Sequence, residues 1–120
     1  MSAHPSHLAV RHEGGMTIVV ITRAAMMDPE YLRAVAEELE ELGRDLEEPW
    51  IVVDLECVEF LASPALGTLL VAHRDLEARG GGLRLANVRR GVRAVLELVN
   101  VPKLIPIFDS VAAAVHGNHV

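Results

Sequence analysis

The stretch Trp50-Ile51-Val52-Val53-Asp54-Leu55-Glu56-Cys57-Val58-Glu59-Phe60-Leu61-Ala62-Ser63-Pro64-Ala65-Leu66-Gly67-Thr68-Leu69-Leu70 changes its period half-way. Residues 50–55 are rich in β-branched side chains and apolar on consecutive positions, the pattern of a strand covered on at least part of both faces. From Leu66 onward, apolar residues recur at helical spacing through Leu69, Leu70, His73 and Leu76. Ser63-Pro64 sits at the junction, a capping residue followed by one suited to the first helical turn. A buried strand that runs into a helix is one limb of a parallel crossover rather than of a hairpin.

Working outward in both directions repeats the motif. Residues 16–22 form a second β-branched run, and a weaker strand, Leu8 to His12, pairs with it across the turn Glu13-Gly14-Gly15. Asp28-Pro29 opens a helix whose stripe is Leu32, Val35, Ala36, Leu39, Leu42 and Leu46. After the Ser63 helix, Gly80-Gly81-Gly82 stops the chain and a strand follows over 83–87. A third helix is predicted from Arg89 to Val99, with Val92, Val95, Leu96 and Val99 inward, and a short fourth from Asp109-Ser110. Between them, Leu104 to Phe108 supplies a last strand, which Pro102 and Pro106 confine to an edge. With right-handed crossovers this is an α/β fold: a mixed, mostly parallel sheet of four to five strands packed with about four helices. One domain spans 8–116, with flexible tails at 1–7 and 117–120.

The 120 residues are 51% apolar, which fills one core, yet only 3% aromatic, which leaves no platform for stacking bases. Seventeen acidic residues against 11 basic give a net charge of −6, so nucleic acid and anionic membranes are not expected partners. The excess is local: residues 28–48 hold nine acids and two bases, a net of −7. That helix face is either an electrostatic docking strip for a basic partner or simply solvated. A single cysteine, Cys57, fits a reducing compartment, no secretion signal begins the chain, and no apolar run approaches the ~20 residues of a membrane span, so a cytoplasmic location is expected.

Enzymatic arrangements fail on spacing. Ser63 and His73 are ten residues apart on one helix, ~15 Å along its axis, too far for a nucleophile–base pair. The three glycines precede a strand, whereas a phosphate loop opens a helix. His4, His7 and His12 near one terminus and His116 and His119 near the other lack partners for a fixed metal site, and Cys57 reads as a small residue in a connection. No catalytic residue, metal or cofactor is expected. By itself Ser63 is an ordinary helix cap.

The residues Asp54–Leu61, Ser63, Leu66-Gly67-Thr68-Leu69-Leu70, Ala78-Arg79-Gly80-Gly81, Leu83-Arg84-Leu85, Val95–Leu98 and Ile107–Ser110 resemble those of STAS domains, which include the bacterial anti-sigma factor antagonists. The resemblance runs from about residue 8 to 115 and implies a STAS-like sheet and a non-enzymatic, protein-binding role in bacterial partner switching. In such proteins the unphosphorylated antagonist binds an anti-sigma factor that is also a serine kinase, and phosphate on one serine of an Asp-Ser-Ser-Gly motif ends the contact. Here that motif corresponds to Ala62-Ser63-Pro64-Ala65, so a proline occupies the acceptor position and Ser63 is the one remaining phosphorylation candidate. With no hydroxyl and no N–H, Pro64 neither carries phosphate nor bonds to it. By the same resemblance the contact surface is Asp28, Ala62, Ser63, Pro64, Ala65 and Leu66. Met26 and Met27 before Asp28 suit either an adaptable contact or a core edge, and Asp28 suits either a contact or a plain cap. The implied partner is a switch-type anti-sigma factor kinase or another STAS protein, the chain itself being a monomer or weak homodimer. The competing reading is a structural STAS subunit of a larger signalling assembly. A hydrolase built on Ser63 ranks last.

Overall fold

Strand β2 (Met16–Ile21) and strand β4 (Trp50–Asp54) lie side by side in parallel, Val19 opposite Val53, at the centre of a computed structural model that describes residues 8–117. Their side chains are almost all buried, because helices cover one face and a further helix the other. The antiparallel hairpin with β1 (Leu8–Glu13) closes at Gly14 and Gly15, both at positive φ (58° and 81°), which glycine adopts without steric cost. On the other side β4 pairs in parallel with β6 (Gly82–Ala86), and β6 with the two-residue β7 (Ile107–Phe108). The order β1-β2-β4-β6-β7 is therefore mixed and mostly parallel, as the alternating pattern implies. β7 is an edge strand, shorter than predicted, since Leu104 and Ile105 donate their N–H groups back to the Val101 carbonyl at the end of the 3₁₀ turn Val101–Lys103.

Helices α1 (Pro29–Arg44) and α2 (Ser63–Glu77) pack on one face of this sheet and on each other, burying Leu32, Val35, Leu39, Ala65, Leu66, Leu69 and Leu76 in the main core. Leu46, placed on the α1 stripe by periodicity, lies outside the helix and is exposed: the chain turns at Asp45, whose N–H bonds to the Gly43 carbonyl. α3 (Arg90–Leu98) also differs from expectation. It buries only Val92 and Leu96, leaving Val95 39% and Val99 50% exposed, because it touches the short strand β5 (Phe60–Leu61) and the 3₁₀ turn rather than lying between two helices. The opposite face is covered by α4 (Val111–His116), which seals Met16, Ile18, Val52 and Ala86. Between Trp50 and Phe108, Arg84 crosses this layer and donates to the carbonyls of Ala114 and Gly117 at the end of α4. Burial pushes its guanidinium below the ordinary value.

Two polar features lock the α2–β6 connection. Gly81 passes so close to Pro49 that a Cβ there would lie 2.0 Å from the Pro49 carbonyl oxygen. His73, buried on α2, accepts the Leu83 N–H through Nδ1 at 3.0 Å, while its Nε2 lies 3.4 Å from Glu77. His73 thus occupies the apolar stripe as a hydrogen-bonded core residue. No helix among the described residues is long and apolar enough to cross a membrane. Residues 1–7 and 118–120, most of the expected tails, lie outside the described residues.

Candidate functional site

A second sheet, absent from the sequence-based plan, builds the site. β3 (Ala25–Met26) and β5 (Phe60–Leu61) pair in parallel, and the ladder continues with Ala62 N–H donating to Met26 O at 3.0 Å. Just before it, Glu59 and Phe60 both donate to Ala24 O, at 2.7 and 3.1 Å. Two residues per strand fall below what periodicity detects. Their consequence is that the starts of α1 and α2 stand side by side.

Asp28 caps α1, its Oδ1 accepting Glu30 N–H at 3.1 Å while its carboxylate stays exposed. The start of α2 corrects the sequence reading. Its cap position is Ala62, held extended by the bond to Met26, so the slot for a capping oxygen falls on a residue that has none. Ser63 is instead the first helical residue; its hydroxyl is exposed and bonds to nothing among the described residues. Pro64 is exposed beside it, its carbonyl accepting Thr68 Oγ1–H at 3.2 Å. Ala65 and Leu66, also on the expected contact surface, are buried in the core at 0% and 9% exposure.

The two methionines separate: Met26 is fully buried, whereas Met27 is 54% exposed. Phe60 is 53% exposed. Met27 and Phe60 thus leave large apolar side chains in water on the two segments that carry Asp28 and Ser63; sequence reasoning weighed Met27 as a contact but missed Phe60. The available signal was Phe60 itself, one of two phenylalanines, alternating with an inward Leu61 just before the helix. Nearby, Arg23 lies 4.0 Å over the ring of buried Tyr31, whose phenol is pushed up chiefly by desolvation, with Arg23 opposing and Glu38 adding to the shift. The β4–β5 connection is fixed by Glu56, which donates to Asp54 Oδ1 at 2.9 Å and accepts Arg89 Nε–H at 2.7 Å. Cys57 is exposed on this loop.

Chemically, the arrangement offers a partly apolar rim with one free hydroxyl, on Ser63, and the exposed carboxylate of Asp28. Ser63 sits at one end of α2 and His73 is enclosed ten residues further along it, so they do not meet. No group of three His, Cys, Asp or Glu side chains suited to a metal occurs among the described residues; His4, His7 and His119 lie outside them.

The STAS domain model matches residues 8–114. The chain belongs to the STAS domain family. Among curated STAS relatives, an anti-sigma F factor antagonist of Paenibacillus polymyxa is 21% identical over 104 residues, covering 87% of this chain and 89% of that one. The fold is shared with an anti-sigma factor antagonist (STAS) domain protein of Planctomyces limnophilus (TM-score 0.81, 17% identity, 93% of this chain and 97% of that one). It is shared too with an anti-sigma factor antagonist of Mycobacterium paratuberculosis (TM-score 0.76, 22% identity, 89% and 88%). This is therefore an anti-sigma factor antagonist-like STAS fold, as its sequence motifs imply.

Proposed function

We propose that this STAS domain is a non-enzymatic binding module of bacterial partner switching, acting in the cytoplasm on an anti-sigma factor of the kinase type. Its contact surface is the joined start of α1 and α2: Met27 and Asp28 from one side, Phe60, Ala62, Ser63 and Pro64 from the other. The observation that carries this reading is the exposure of Met27 and Phe60 around an exposed Ser63-Pro64, since apolar side chains grouped in water favour a contact that covers them. Any ATP belongs to the partner.

Pro64 has no hydroxyl, so the binding-competent form is the standing form of the protein. Ser63 is the place where a modification would act. A phosphate there adds about −1.5 to −2 charges on the rim that already carries the Asp28 carboxylate, so an apolar contact surface becomes strongly anionic.

Pull-down from the native bacterial lysate, followed by intact-mass measurement, tests this. Wild-type protein is expected to recover an identifiable anti-sigma factor, Ser63→Glu to recover at least about tenfold less, the equivalent of 1.4 kcal/mol, and the wild-type mass to lack the increment of about 80 Da that one phosphate brings. Equal recovery by both forms places Ser63 outside the interface, and a phosphate on Ser63 overturns the standing-form reading.

A further inference from the structure

Helix α3 leaves an apolar face in water. Leu98 is 82% exposed and Val95 39%, and Gly91 and Ala94 are exposed with them. These residues follow the spacing i, i+3, i+4, i+7, so they form one stripe, separate from Val92 and Leu96, which face the core. The stripe is uneven. Leu98 projects as a knob, whereas Gly91, seven residues before it, is a hole, since a Cβ there would meet nothing within 4 Å. Arg90 and Glu97 are also seven residues apart and edge the stripe beside Ala94, bringing one charge of each sign. The other bases of this segment are engaged elsewhere: Arg89 Nε–H donates to Glu56 O, and Arg93 lies 3.8 Å from Asp109. Arg90 makes no ion pair among the described residues.

We infer that α3 pairs with α3 of a second copy, antiparallel about a two-fold axis that passes between Ala94 and Val95. In that register Leu98 of each copy seats on Gly91 of the other and Ala94 lies against Val95, knobs into holes. Arg90 of each then comes alongside Glu97 of the other, offset by two residues, or ~3 Å along the helix. Glu97 already lies 3.5 Å from Arg93, but Arg93 is shared with Asp109, which leaves the Glu97 carboxylate able to take a second base. Self-complementarity selects a second copy over an unrelated helix. Knob and hole are separated by the same seven residues as the two charges, so the face meets its own image after a two-fold turn. A parallel pairing would instead set hole on hole and knob on knob. Being isologous, the contact occupies the face on both copies and stops at a dimer. The nine residues of α3 span about 14 Å, so the interface falls at the small end of specific contacts and the association is weak. This inference is independent of what binds at Ser63.

Sedimentation equilibrium of the purified protein from about 10 μM to about 1 mM, a range that brackets weak contacts, reads the outcome. The wild-type weight-average mass is expected to climb from 13.0 kDa toward twice that value and no further. Gly91→Gln fills the hole at a helical site with open space around it, so it is expected to keep the monomer mass while melting no lower than wild type, which separates lost pairing from lost folding. Arg90→Glu is expected to weaken association by about fivefold, as for the loss of two exposed ion pairs. The double variant Arg90→Glu, Glu97→Arg is expected to restore it, because the charges exchange places across the two-fold. A wild-type mass fixed at the monomer at every concentration overturns the inference, as do growth beyond a dimer, wild-type association by Gly91→Gln, or a double variant as weak as Arg90→Glu alone.

Discussion

His73 shows how one polar residue can be held inside an aliphatic core. Its Nδ1 satisfies the Leu83 N–H, a backbone donor that water cannot reach once β6 is in place. His73→Phe fills a similar volume but leaves that donor unpaired, and is expected to lower unfolding free energy by about 1–3 kcal/mol in urea titration. An unchanged midpoint would mean that Leu83 finds another acceptor. At the same scale, Ser63 was legible as a residue near a helix start but not as the first residue inside the helix. A cap is assigned by backbone direction, and here that direction is set by the bond from Ala62 to Met26, 36 positions away in sequence.

Among the elements, the long ones were legible because their periods persist: α1 and α2 run 16 and 15 residues, and β2 and β4 are β-branched over Thr17–Ile21 and Ile51–Val53. The two-residue strands β3 and β5 carry no period, so the small sheet that assembles the site was invisible, as was the outward turn of Val95 and Val99 on α3. Periodicity gives a helix its apolar stripe but not the width of what covers it. Two glycines separate packing from propensity in the same way. Gly81→Ala forces a methyl group into Pro49 and is expected to cost more than about 3 kcal/mol or prevent folding, beyond the usual overpacking range. Gly67→Ala meets open space in mid-helix and is expected to raise stability by about 0.5–1 kcal/mol. Thermal melts of the two variants should shift in opposite directions.

For the molecule as a whole, the sheet has unequal covers: three helices on one face and the six residues of α4 on the other. Deleting residues 111–120 removes buried Val111 and Ala114 and both carbonyl acceptors of Arg84, leaving Met16, Ile18 and Val52 open to water. A loss of about 3 kcal/mol or more is expected from the uncovered area, with strong binding of an apolar fluorescent dye at room temperature; a truncated chain with wild-type melting and no dye signal would show that α4 is dispensable. The paired strands β3 and β5 have a different reach. Four residues rivet two otherwise separate helix tips into one rigid lip, so a visitor gripping either tip tugs on both. Substitutions on opposite sides of that lip should therefore fail to add, and their mismatch gauges how firmly the rivet holds.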